Sequence, residues 1–262
     1  MLVIDSDKSA AEHREQYRSR LRLPSGAPIS ACLHRSVAYC NRPYLIPAPS
    51  IFKTIPRADW IPMIRDGAGH FLHDRTKNVL PPHDQGSTNY CWAHGTVRGL
   101  EVLRVYEGQR PLVLSAESVA VPLTNGRNRG GYADEAVKQL CDFGACEQRY
   151  WPANDRDANN ADKAWLENRD LYRVLKWLDV VGWDVQMTLA LRRIPCPIGL
   201  GWWEHLVCGL DPVELDSKTV GLGFDNSWGG DYGDNGYAVL DEKHGTADLG
   251  AIAPLSASFS LN

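Results

Sequence analysis

The sequence predicts an α+β protein with one helical lobe and one β lobe. Helical spacing dominates up to Pro195, while short runs rich in Gly and β-formers, separated by turns, dominate beyond Pro197. The chain is 262 residues long, enough for one large domain or two lobes that each bury a core. No internal repeat or low-complexity stretch interrupts this order.

Near the start, Ser6 or Asp7 can cap a helix over Ala10–Leu23, which Pro24 stops. A Pro-rich run over 41–50 then suits an extended surface segment. Residues 1–54 read as an N-terminal extension: a pro-segment, an arm that binds a partner protein, or a segment packed on its own domain. The globular part spans 55–262, with the helical lobe over about 80–195 and the β lobe over about 196–262 plus 55–80. Cys91 to Tyr106 reads as a helix, since Trp92, Thr96, Leu100 and Leu103 share a face and Gly108 and Pro111 end it. A second helix is expected with Ser115 as its cap, and a third over Gly131–Phe143 closed by Gly144. Residues 152–170 read as a polar surface loop, and Asp184–Arg193 as a fourth helix capped by Asp184. Strands are expected at 198–202, 205–210, 219–226 and 236–241.

The composition excludes several classes. Hydrophobic residues make up 44% and charged residues 23%, which is ordinary globular usage. A formal net charge of −4 argues against nucleic acid as the partner, because phosphate binding needs clustered Lys and Arg. No apolar run reaches the ~20 residues of a membrane span. Seven cysteines are an odd number, and no CxxC occurs among them. Asp5, Asp7 and Lys8 interrupt any apolar signal segment. Reduced thiols in the cytoplasm or another reducing compartment, or within a particle, are therefore expected. His70-x-x-His73 with Asp74 offers half a metal site and nothing spaced to complete it, so neither a metal nor a cofactor is expected.

Chemistry concentrates in four places. Cys91 stands at the predicted start of a helix, where the dipole favours a thiolate. His205, in a β-type run, can serve as its base, and Asn226 can hold the imidazole in one tautomer. Gln85, in the turn before Cys91, can offer its side-chain amide to an oxyanion. His94 also lies near Cys91, but one turn along the same helix it reads as packing or cleft wall. Asp225 and Glu204 read as solvated or hydrogen-bonded edge charges, and Cys208 as core.

In their order these blocks resemble the papain family of cysteine proteases. Gln85-Gly86-Ser87 with Cys91-Trp92-Ala93 is similar to that family's oxyanion glutamine, glycine turn and nucleophile. Leu114-Ser115 and Gly130-Gly131-Tyr132 resemble its next block, Glu204-His205-Leu206-Val207 its histidine block, and Asn226-Ser227-Trp228-Gly229 with Tyr232 to Tyr237 its asparagine block. The resemblance runs from residue 55 to about 242. It implies a two-lobed fold whose cleft binds peptide or protein substrate. Cys91 would be the nucleophile, His205 the acid and base, Asn226 its orienting partner and Gln85 the oxyanion donor. Gly130, Gly131, Tyr132 and Trp228 would line the cleft, with Gly131 admitting a substrate backbone and Trp228 shielding the Asn226–His205 bond.

The departures from the family are specific. Thr88 and Asn128 stand where secreted members carry a disulfide pair, and Val121 or Pro122 where another framework cysteine sits. His205 follows Cys91 by fewer residues than the ~130–150 common in the family. Residues 1–54 lack the family's long helical pro-region pattern. Alternatives are a papain-fold structural or interaction component of an assembly such as a viral particle, and acyl transfer on the same residues.

Overall fold

The computed structural model describes residues 1–20, 22, 45–48, 53–174 and 176–255. Cys32, Cys40 and most of the Pro-rich stretch lie outside these residues. The elements run β1 (Val3–Ile4), α1 (Asp7–Arg20), β2 (Leu45–Pro47), α2 (Arg57–Asp66), α3 (Leu72–Thr76), α4 (Cys91–Tyr106), α5 (Glu117–Thr124) and α6 (Ala133–Asp142). They continue with α7 (Trp165–Arg169), β3 (Trp177–Val180), α8 (Trp183–Leu191), β4 (Cys196–Leu200), β5 (His205–Glu214), β6 (Val220–Asp225), β7 (Tyr237–Leu240), α9 (Glu242–Gly245) and β8 (Ala251–Pro254).

Among the described residues the strands form one sheet in the order β1-β7-β6-β5-β4-β8-β3-β2. Its middle is antiparallel, whereas β1 on β7 and β2 on β3 are parallel. The N-terminal segment thus supplies the outermost strand at both ends of the sheet. Strand β3, ahead of residue 195, pairs with β8, and α8 packs on β4 and β5. The reason lies in Trp177, Leu178 and Val180, an apolar run that is buried in the sheet.

Helix α4 is the central element, buried from Cys91 through Arg104 and packed on β4 and β5. Gly95 and Gly99, one turn apart, permit this approach. A Cβ at Gly95 would lie 2.2 Å from Leu206 Cδ2, and one at Gly99 would lie 3.0 Å from Pro197 Cγ. A glycine inside a helix costs about 1 kcal/mol relative to alanine. Here it sets the N-terminus of α4 beside the start of β5, which places Cys91 near His205.

Local differences from the sequence reading have physical causes. Helix α8 begins at Trp183 after Gly182, whose φ of 85° makes the entry turn, and Asp184 pairs with Arg57 instead of capping. Helix α5 starts at Glu117, although the Ser115 hydroxyl still accepts from the Ser118 amide at 3.3 Å. The third helix starts two residues late, at Ala133, and the loop over 152–170 holds the short helix α7. Gly144 does end its helix, at φ 83°. A Cβ there would lie 2.1 Å from the Arg169 carbonyl oxygen and 2.7 Å from that of Tyr172. Gly144→Ala is therefore expected to lower stability by on the order of 3 kcal/mol, combining a backbone clash with strain. Urea unfolding checks this, and an unchanged midpoint would refute it.

Candidate active site

Asn226 follows directly on β6, and its side-chain oxygen accepts the Ser227 amide and a bond from His205 Nε2, both at 2.8 Å. An atom that accepts from a backbone amide is the oxygen, so Nε2 must carry the proton. That leaves Nδ1 as the bare ring nitrogen, with no partner among the described residues. Trp203 and Trp228 flank the imidazole, with ring centroids 4.8 and 5.2 Å away. His205 is fully buried.

Gln85 enters from the loop before α4. Its amide nitrogen donates to the Thr88 carbonyl at 2.6 Å, and its side-chain oxygen accepts from the Ser227 hydroxyl at 2.5 Å. The Gln85 backbone amide donates to the Ser227 carbonyl at 2.9 Å, so the glutamine and asparagine segments are laced together. The second hydrogen of the Gln85 amide points to the Tyr17 hydroxyl, 3.4 Å away. Cys91 opens α4 and is hydrogen-bonded by that same hydroxyl and by the Leu206 backbone.

Tyr17 belongs to α1, which the sequence reading did not place at the site. Its ring lies 4.4 Å from His205 and 5.1 Å from Trp228, and it is fully buried. His13, one turn earlier, sits edge-on to Trp203 and Tyr232. Arg14 pairs with Glu204 at 3.1 Å, and Arg20 with Asp84. Ala10, His13, Tyr17 and Arg18 are the buried positions of α1, a stripe at helical spacing on an otherwise charged helix. A sequence signal for this existed only in that spacing, which matches any amphipathic surface helix.

This cover sets the charge state of the site. Burial pushes the Cys91 thiol up to about 11, although Tyr17 and backbone hydrogen bonds pull the other way. Burial also pushes His205 down to about 3, against the bond to Asn226. Thiol and imidazole are both neutral beneath α1, although the helix N-terminus favours a thiolate.

The arrangement has counterparts among known proteins. "Cysteine proteinase" of Theileria parva is 26% identical over 212 residues, covering 71% of this chain and 46% of that protein. "Cathepsin L 1" of Paramecium tetraurelia is 24% identical over 172 residues, covering 60% and 54% respectively. The chain thus spans about half the length of the curated relatives it matches. Digestive procathepsin L 3 of Tenebrio molitor shares the fold with a TM-score of 0.57 at 15% identity, over 94% of this chain and 98% of that one. The ragweed pollen protease Amb a 11, in its proform, gives 0.58 at 16% identity, with 96% of each chain covered. No family model matches the chain. The chain is thus similar in sequence to cysteine proteases and shares the papain-like fold.

Within this papain-like frame the departures seen in the sequence acquire a structural sense. Asn128 closes the loop pair that secreted relatives are expected to bridge with a disulfide. Its side-chain oxygen accepts the Asn89 amide at 2.7 Å, and its nitrogen donates to the Ser87 carbonyl at 3.0 Å. Cys91, Cys141, Cys146, Cys196 and Cys208 are buried free thiols. Gly130 and Gly131 are buried, and a Cβ at 131 would lie 2.5 Å from the Trp92 ring. The packing of Trp92 therefore requires that glycine. Tyr132 lies between Gly131 and α6, at the start of that helix. The two edge charges are both paired: Glu204 with Arg14, and Asp225 with Arg98 at 2.7 Å. His94 is buried between His83 and Glu117. Among the described residues no cluster of three or more His, Cys, Asp or Glu is placed to hold a metal ion.

Proposed function

We propose that this protein is a cysteine endopeptidase-like hydrolase of peptide bonds, held at rest by its own N-terminal helix. The observation that carries the reading is the fixed tautomer of His205: Nε2 donates to Asn226, so Nδ1 is the nitrogen left to exchange protons with sulfur and substrate. In the reaction, the Cys91 thiol gives its proton to His205 Nδ1 as its sulfur bonds to the scissile carbonyl carbon, and the carbonyl oxygen takes the negative charge. The Gln85 side-chain amide and the Cys91 backbone N–H stabilise that oxygen. His205 Nδ1 passes its proton to the leaving amine as the C–N bond breaks. It then takes a proton from the water that hydrolyses the thioester, and the thiol is restored.

Support for the resting state comes from Tyr17, whose hydroxyl engages both the oxyanion donor and the thiol. The test is labelling of the Tyr17→Ala protein with an irreversible thiol-directed epoxide, followed by mapping of the adduct. Attachment at Cys91 is expected, slowed by on the order of a hundredfold or more when His205→Ala is added. Equal labelling with and without His205 would sink the activated-thiolate reading.

A further inference from the structure

Beneath the site lies a chain of buried charged groups with no role in the bond-making steps. Arg98 stands on α4 two turns beyond Cys91, about 10 Å along the helix axis. Its Nε donates to Asp225 Oδ2 at 2.7 Å, and its Nη1 donates to Glu101 Oε2 and to the Pro81 carbonyl, each at 3.2 Å. Glu101 accepts from His83 Nε2 at 2.9 Å and from the Leu114 amide at 2.7 Å. Arg98 is 5% exposed, Glu101 1%, Asp225 8% and His83 8%. Burial works against the charge of Glu101, but His83 and Arg98 outweigh it and hold the carboxyl below its usual range.

Net stability does not explain such a chain. An apolar replacement of a buried ion pair is often neutral or stabilising, because desolvation offsets the attraction. Its connections are more telling. Asp225 is the residue immediately before Asn226, and His83 lies just ahead of Gln85. Arg98 and Glu101 share a helix with Cys91. A cavity of about 10 Å³ is lined jointly by His83, Arg98, Asp225 and Asn226, so the chain and Asn226 are in direct proximity. Asp225 is tied through its side chain to α4. The next residue, Asn226, is held through its backbone amide by the Gly236 carbonyl at 2.8 Å. The ion pair therefore fixes the backbone that aims the Asn226 side chain.

We infer that Arg98 and Asp225 are positioning residues, an internal strut that sets where Asn226 holds His205 relative to the helix bearing Cys91. Its catalytic consequence rests on the peptidase reading above. Its structural consequence does not. The strut acts through the Asn226 backbone, with Glu101 and His83 extending it to the Gln85 loop.

Two readouts on full-length protein test this. Nitrogen NMR of the His205 ring in the otherwise wild-type chain is expected to show one Nε2-protonated tautomer. Asp225→Asn and Arg98→Met should give mixed tautomers, and Arg98→Lys, which keeps one charge for Asp225, should restore most of the single tautomer. In the Tyr17→Ala background the same pair of variants should lower kcat at least tenfold with KM within about twofold. Folded Asp225→Asn and Arg98→Met proteins with the wild-type tautomer would overturn the inference, whatever their melting temperature. If Asp225→Asn or Arg98→Met does not fold, Asp225→Glu, whose longer side chain shifts the ion pair, decides: mixed tautomers uphold the strut and the wild-type tautomer overturns it. Altered tautomers in a protein that cleaves no peptide would uphold the strut and count against the peptidase reading.

Discussion

Tyr17→Ala is expected to raise the rate of Cys91 alkylation near neutral pH by at least a hundredfold, with the protein still folded. The ring is the largest apolar group that α1 buries, lying against His205 and Trp228. Truncating a buried aromatic side chain removes on the order of 3–5 kcal/mol, a factor of roughly a hundred to several thousand in a docking equilibrium. What then remains to hold the helix is weak. Its ion pairs to Glu204, Asp84 and Lys243 lie at least partly in solvent, where such pairs are screened and hold little. Strand β1 adds a ladder of only two residues. Uncovered, Cys91 leaves the environment that pushes its thiol up to about 11 and regains the helix N-terminus and imidazole that favour a thiolate. Tyr17→Phe separates the two contributions: it keeps the stacking, loses the hydroxyl shared by Gln85 and Cys91, and should accelerate labelling far less. A folded Tyr17→Ala protein that alkylates no faster than wild type would remove α1 as the restraint.

Acid should loosen the same helix. Under α1, His205 is pushed down to about 3 by burial, with repulsion from Arg20 and His94 opposing the bond to Asn226. An imidazole returned to water titrates near 6.5. Protons therefore bind the open form more tightly than the closed one. The His205 contribution to the stability of the closed form is complete above ~6.5 and falls about tenfold per pH unit as acid approaches the lower value. The other titratable groups facing α1 are His13, bonded to the Ser9 carbonyl, His244, placed between Asp7 and Asp241, Glu204 and Asp84, paired with Arg14 and Arg20, and Cys91, whose thiol burial pushes up to about 11. Bonds from Lys243 and His244 hold the Asp7 carboxyl below its usual range, so that anchor outlasts the His205 transition. Hydrogen exchange of the α1 amides, corrected for the intrinsic rate, should rise on the order of a hundredfold between about pH 7 and about pH 4. His205→Gln should abolish most of the rise. If the rise survives that substitution, the linkage does not belong to His205.

The order of the candidate groups was legible in the sequence because each expected role demands a particular residue type beside a particular turn or helix start. Cys91 at the head of α4, His205 at the head of β5 and Asn226 at the end of β6 stand where the blocks placed them. Tyr17 was not legible, since its role depends on the direction of a helix after folding and not on any motif of its own. The same holds for Arg98 and Asp225, two ordinary charges whose meaning comes from being buried against each other. Local capping misled at Asp184, where a glycine with positive φ could start the helix and the carboxylate found Arg57. Asn128 shows the reverse case: the absent disulfide was visible, but the hydrogen bonds that replace it needed coordinates.

The position of β1 and β2 bears on how such a molecule can be switched on. These strands, of two and three residues, close off the two rims of the sheet. Excising the whole N-terminal segment would bare the hydrogen-bonding rows of β7 and β3, both buried and rich in apolar residues. Rims of that kind recruit other strands and aggregate. A segment that swings α1 aside while leaving its short strands in place avoids that hazard. Reversible displacement therefore suits this architecture better than removal of the segment.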